Sequence, residues 1–175
     1  MSPGTSAPRT LRWGIKAGFL RHFSSSSGPD EGATLGPAGD VRFPLADAHD
    51  FDAGTGEGLL IFRGVVGFTG HLGLFSVRLA DPWIDLAGDR GVLTVAAGRS
   101  GPGGRRSRIP IVEFLARRGG SRGVVVGAGV RLTHAGTSVF DAKYTEGEPF
   151  SDLYIGVPVA VAEPAPRASA HLSPA

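Results

Sequence analysis

Short apolar runs, each separated from the next by glycine, aspartate or proline, constrain the fold of this chain more than any other feature. They are rich in β-branched and aromatic residues: 41-VRFPLA-46, 58-GLLIFRGVVGF-68, 72-LGLFSVRLAD-81, 82-PWIDLAG-88 and 91-GVLTVAA-97. Such runs between turn residues are typical of antiparallel strands. Further strands are predicted over 107–116 and 122–133, and 156–162 is expected to complete the sheet. The chain is therefore predicted to be mainly β.

The composition suits one domain that is stabilised by packing alone. A length of 175 residues with 41% hydrophobic residues is enough for a single core. The sequence has no cysteine, which excludes disulfides and thiolate metal sites. A formal charge of only +2 gives no reason to expect a nucleic acid partner.

The two ends of the chain are predicted to be flexible tails around a domain over 10–162. Residues 1–9 and 163–175 are rich in proline, alanine and serine and have no hydrophobic period. The start has no apolar core of the kind a signal peptide needs, and no apolar run is long enough to span a bilayer. We expect a cytoplasmic protein as the sequence is written, or an exported one if its true start lies upstream.

One segment departs from the β pattern and is predicted to be an N-terminal helix: 10-TLRWGIKAGFLRHF-23. Its apolar residues recur every four positions, as on one helical face: Leu11, Ile15, Phe19 and Phe23. His22 falls on the same face. A histidine there is more often a hydrogen-bonded core residue than a ligand, and the pattern alone leaves both roles open. The stretch that follows, 24–40, is expected to be a loop.

A second histidine, His71, lies between two predicted strands in 67-GFTGHLG-73, at the surface or at the mouth of a pocket.

The segment 49-HDFDAGTGEG-58 does not have EF-hand spacing and is better read as a turn whose side chains bond their own backbone. The glycine-rich 98–106 lacks the ending of a P-loop and is predicted to be a hairpin loop. The arginines around these turns suit a ligand carboxylate or plain solvated surface: Arg99, Arg105, Arg106, Arg108, Arg117, Arg118 and Arg122.

Motifs of hydrolytic enzymes are missing from the sequence. It contains no HExxH or GxSxG motif, and its serines lie in tails or turns without a paired base. Hydrolase chemistry therefore has no visible carrier in this sequence.

Most of residues 10–154 resemble the HtaA domain, a haem-binding module of actinobacterial haem-uptake systems. Five blocks carry the resemblance in the same order: Trp13-Gly14-x-Lys16 with Phe19, Phe43-Pro44-Leu45, Phe68-Thr69-Gly70-His71, Asp81-Pro82, and a late aromatic followed by Gly147. The resemblance implies an antiparallel β-sandwich-like domain with a short N-terminal α-helix packed on it. It also implies one haem b in a hydrophobic pocket.

The resemblance also implies roles for three residues. In the family, a tyrosine of the opening helix is the axial iron ligand, a histidine in the Phe-Thr-Gly-His block supports it, and a late aromatic lines the pocket. Carried onto this sequence, the ligand position falls on His22, the support is His71 and the late aromatic is Tyr144. Imidazole is a softer donor than tyrosinate, so the substitution is expected to change the iron chemistry. His71 as a second ligand and Tyr144 as the ligand are the alternatives.

The function implied by the resemblance is non-enzymatic binding of haem for sequestration or transfer, with a haem donor or acceptor protein as partner. The alternative is a β scaffold of the same kind that binds a protein or another apolar ligand without haem. A weak haem-dependent peroxidase would need an open iron position and an acid-base group, for which His71 is the candidate.

Overall fold

The computed structural model describes residues 8–22, 24–100 and 106–160. Within these residues the chain forms thirteen strands: β1 (Thr10–Trp13), β2 (Ser24–Asp30), β3 (Thr34–Leu35), β4 (Val41–Asp47), β5 (Phe51–Asp52), β6 (Glu57–Phe62), β7 (Val65–Gly70), β8 (Phe75–Ala80), β9 (Trp83–Ala87), β10 (Arg90–Ser100), β11 (Arg106–Arg118), β12 (Val124–Leu132) and β13 (Leu153–Gly156). The prediction of a mainly β chain is confirmed.

Helical structure in the described part of the chain is limited to short pieces. Two are 3-10 helices, over Phe19–His22 and His71–Gly73, and one is the short helix α1 (Gly136–Val139). Within the described ranges, none of the helices has the length and apolar character needed to cross a membrane.

Eight of the described strands close into an antiparallel barrel. Their order is β4, β1, β13, β12, β11, β10, β9 and β6, and β6 returns to β4. The closing contact pairs Leu45 with Phe62 and Asp47 with Ile61. The prediction of a β-sandwich was wrong, because this pairing joins two edges that a sandwich leaves apart.

A separate three-stranded sheet, in the order β2, β7 and β8, continues from the barrel. The barrel strands β6 and β9 pair with each other, and their continuations β7 and β8 pair again beyond a bend. Gly64 and Asp81 hold this bend: the Asp81 N–H donates to the Gly64 carbonyl at 2.8 Å, and the Gly64 N–H donates to Asp81 Oδ1 at 3.2 Å. Gly64 has φ +125° and lies against Ala33, which leaves no room for a side chain.

The prediction of an N-terminal helix over 10–23 was wrong. The segment begins as β1, in which Leu11 and Trp13 are buried and Arg12 is exposed. A spacing of four is also an even number, so the same apolar positions share one face of a strand. β1 pairs with β4 on one side and with β13 on the other, and these pairings favour a strand over a helix. The left-handed conformation of Ile15, at φ 60°, separates this strand from the first 3-10 helix.

The structure also differs from the predicted bounds of several loops and strands. The loop expected over 24–40 contains β2 and β3, and the final strand is β13 rather than 156–162, of which 161 and 162 lie outside the described residues. Alternation in β8 is confirmed, since Val77 and Leu79 are buried. Residues 1–7 and 161–175, which include most of the two predicted tails, and the tip of the 98–106 loop are also outside the described residues.

Candidate functional site

The two predicted histidine positions lie at the same end of the three-stranded sheet. β2 begins at Ser24, which pairs with Thr69 of β7. His22 ends the first 3-10 helix two residues before Ser24, and His71 begins the second 3-10 helix two residues after Thr69. Antiparallel chains continue past a paired residue in opposite sequence directions, so the two backbone positions leave the sheet side by side. This end of the sheet is called the histidine end below.

The hairpin that joins β7 to β8 forms one border of the histidine end. Gly70 pairs with Phe75 across its base. Leu72 has φ 58° and ψ 30°, and Gly73 has φ 91°, so the chain reverses through two consecutive left-handed residues. Leu72 and Leu74 are both exposed.

A cluster of aromatic rings packs beneath the histidine end. The edge-to-face contact between Phe19 and Phe68, with centroids 5.2 Å apart, ties the first 3-10 helix to β7. Phe19 also meets Phe140, which contacts Tyr144 at 5.9 Å and Phe150 at 5.0 Å. Such edge-to-face pairs are favourable because ring edges are positive and ring faces negative. The cluster therefore joins three distant segments of the chain at one place.

Tyr144 lies at the rim of this cluster, after α1. Its ring is 9% exposed and contacts Phe150 at 5.5 Å. Burial raises the pKa of the Tyr144 phenol, and the carboxylate of Glu148 raises it further. Both effects favour the neutral phenol over the phenolate in the folded chain.

The side chain of Lys143 lies close to Tyr144 and to the start of β8. The Lys143 ammonium lies 5.9 Å from the Tyr144 ring centroid and 6.0 Å from that of Phe75, at the start of β8. Phe75 pairs with Gly70, next to His71. The structure thus brings the backbone positions of His22 and His71 and the side chain of Tyr144 to one region, while their roles in binding stay predictions.

The opening Trp-Gly-x-Lys block fastens the first segment to the loop after Tyr144. Trp13 Nε1 donates to the Ser151 carbonyl at 2.9 Å. Lys16 Nζ donates to the Pro149 carbonyl at 2.9 Å and pairs with Glu148 Oε1 at 2.9 Å. The hydrogen bond from Lys16, followed by that from the Thr145 N–H, lowers the pKa of Glu148. These contacts hold the opening segment against the loop that follows Tyr144.

Sequence reasoning missed the aromatic residues Phe140 and Phe150 and the cation Lys143 as parts of this region. The only signal was the mixture of aromatic and charged residues over 137–154, which has no period. Their assembly depends on contacts with residues more than one hundred positions away, such as the bond from Trp13 to Ser151.

The arginines proposed as a carboxylate-binding rim include one with a structural role. The Arg108 guanidinium stacks on Trp83 at 4.2 Å and donates to the carbonyls of Asp81, at 2.5 Å, and Thr94, at 2.8 Å. Burial lowers its pKa to about 10. Asp81 follows the far end of β8, roughly 17 Å along the strand from Phe75. Arg108 therefore braces the bend and is remote from the histidine end.

Within the acidic segment 49–58, residues 53–56 form the turn between β5 and β6. As predicted, its side chains bond their own backbone, since Asp52 Oδ1 accepts hydrogen bonds from the N–H groups of Gly54 and Thr55. Among the described residues, no three His, Asp or Glu side chains come together as a set of metal ligands.

Comparisons with known proteins identify a family and a shared fold. The model of the HtaA family, described as Htaa, matches residues 8–155. The N-terminal domain of HtaA from Corynebacterium glutamicum has a TM-score of 0.64 at 18% identity, over 85% of this chain and 96% of that domain. The C-terminal domain of the same protein has a TM-score of 0.61 at 23% identity, over 83% and 92%. The haem-binding protein HtaB from C. glutamicum has a TM-score of 0.61 at 14% identity, over 83% and 90%. At these identities the crystal structures show a shared fold, and none of the curated proteins matches the chain.

Proposed function

Because the chain belongs to the HtaA family, we propose that it is a non-enzymatic haem-binding protein that holds haem at the histidine end, with His22 as the axial iron ligand. The observation that carries the proposal is the convergence of His22 and His71, from separate segments, on one end of the three-stranded sheet. HtaB, which shares the fold, is a haem-binding protein. A protein that delivers or receives haem is the expected partner.

The residues at the histidine end fit the chemistry of a haem. The group needs an axial donor, apolar contacts for its ring and a cation for its carboxylates. His22 would supply an imidazole donor and Lys143 is a cation at the same end, while the aromatic cluster, whose rings are almost fully buried, lies beneath the position proposed for the haem. When bound, the haem iron would supply a site for ligand exchange and electron transfer.

We assign His71 a supporting role beside His22. The two positions follow paired residues of adjacent strands, whereas two axial ligands must reach the iron from opposite faces of the porphyrin. A hydrogen bond to the ring of a ligating histidine fixes its tautomer and raises its basicity. His71 is therefore a positioning residue in this proposal.

A haemin titration followed by absorption spectroscopy tests the function. The wild type is expected to saturate at one haem per chain. His22→Ala is expected to weaken binding and change the spectrum, and His71→Ala to lower the affinity by roughly 10–100-fold. His49→Ala is the matched control, since His49 is exposed in the segment between β4 and β5 and pairs with Asp47 and Asp50. Absence of a saturable spectral change in the wild type would refute the function.

A further inference from the structure

Two leucines at the tip of the β7–β8 hairpin are exposed far beyond the other large apolar side chains of the described residues. Leu72 is 107% exposed and Leu74 is 78% exposed, whereas Leu35, Leu115 and Tyr154 are 38–41% exposed. Each fully exposed leucine forgoes the stabilisation that burial would give. The folded chain alone therefore gives no reason for leucine at both positions. We call Leu72, Gly73 and Leu74 the hairpin tip.

The hairpin tip borders the histidine end directly. It follows His71 without an intervening residue and leads into Phe75, the first residue of β8. The Lys143 ammonium lies near the Phe75 ring, and Lys143 adjoins Tyr144 in the sequence. The left-handed conformation of Leu72 turns the chain so that both leucines lie in solvent next to this region.

We propose that Leu72 and Leu74 pack against the porphyrin ring of a haem bound at the histidine end; this inference rests on the proposed function. A porphyrin is flat, apolar and wide enough to contact both side chains at once. Its binding would remove their surface from water, which favours the complex by the hydrophobic effect. The two leucines would thus hold the ring while His22 holds the iron.

The small size of the hairpin tip favours this occupant over a protein. A stable protein interface buries roughly 800 Å² on each partner, of which two leucine side chains supply only a part. Among the large apolar side chains whose exposure the structure describes, which do not include Leu20, no other strongly exposed one extends the patch. A small apolar patch beside a ligand position is what one face of a bound ring requires.

The test measures two quantities for the wild type and three variants: the Kd for haemin and the melting temperature of the haem-free protein. Leu72→Ser/Leu74→Ser is expected to raise the Kd for haemin at least about tenfold, which corresponds to about 1.4 kcal/mol. Its haem-free melting temperature should match that of the wild type, because both side chains already lie in water. Leu72→Met/Leu74→Met should restore the affinity, since methionine supplies a similar apolar surface. Leu35→Ser/Leu115→Ser, which removes two leucines elsewhere, should leave the Kd unchanged.

The outcomes separate this inference from the function on which it rests. A wild type that does not bind haemin refutes the proposed function. A wild type that binds, together with a Leu72→Ser/Leu74→Ser variant of equal Kd, overturns the role of the hairpin tip alone. That second result, with slower transfer of haem to another protein, would instead identify the hairpin tip as a docking surface for a protein partner.

Discussion

Tyr144 illustrates how a side chain at the site is adjusted by its neighbours. Its ring packs against Phe140 and Phe150, and Glu148, held by Lys16, lies close enough to disfavour a second negative charge. Burial and the Glu148 carboxylate therefore both favour the neutral phenol over the phenolate. The sequence predicted Tyr144 as a site residue, but the raised pKa of its phenol comes first from burial and then from the nearby Glu148 carboxylate, and no local pattern reveals either.

The raised pKa of Tyr144 predicts an alkaline titration. In a Tyr154→Phe variant, which leaves Tyr144 as the only tyrosine, phenolate absorbance should have its midpoint above 10.0, the ordinary value. Since the unfolded chain releases this proton at lower pH than the folded chain, the free energy of unfolding should fall as pH rises above 10.0. A midpoint at or below the ordinary value would show that Tyr144 is not buried beside Glu148.

At the scale of elements, strand β11 depends on glycines in both of its neighbours. Phe114 of β11 pairs with Gly91 of β10. A Cβ atom at Gly91 would lie 2.3 Å from the Phe114 ring, and one at Gly127 of β12 would lie 2.7 Å from the same ring. The ring is therefore confined from both sides and has no room to move away from either glycine.

Gly91→Ala is expected to destabilise the barrel. Overpacking of a confined ring costs about 1–3 kcal/mol, so the free energy of unfolding in urea should fall by that amount without a change in m-value. Gly120→Ala is the control, because a Cβ atom there would meet nothing within 4 Å. Equal stability of the two variants would contradict the confinement of Phe114.

Element types were predictable from the sequence where the pattern permits one interpretation. Val77 and Leu79 alternate with exposed residues and formed a strand as predicted. Leu11, Ile15 and Phe19 are compatible with both a helix and a strand because four is a multiple of two. The four consecutive serines before Gly28 suggested a loop, yet backbone pairing with β7 makes this segment a strand whatever its side chains.

At the scale of the whole molecule, the barrel depends on pairings that local patterns do not specify. β1 lies between β4 and β13, so the first strand is held by the last one. The difference between a sandwich and a barrel reduces to the contact between β4 and β6, which involves Leu45 and Phe62. Individual strands follow from composition, whereas closure follows from shear and twist summed over all eight strands.

The sequence identified individual residues of the candidate site where they belong to a motif of known spacing. His22, His71 and Tyr144 came from a family resemblance, and the paired strands β2 and β7 explain why two of them are neighbours. The hairpin tip was not predicted, because an exposed leucine and a buried leucine look alike in a sequence. Only the fold distinguishes Leu72 from Leu79.

The most direct test of ligation from position 22 is the absorption spectrum of the ferric haem complex of the wild type beside that of His22→Tyr. We predict an imidazole-ligated spectrum for the wild type and a change to a phenolate-ligated spectrum in the variant, because tyrosinate is a harder anionic donor. Both proteins should still bind haem, so loss of folding is not confused with loss of the ligand. Identical spectra for the two complexes would show that the iron is held by a residue other than His22.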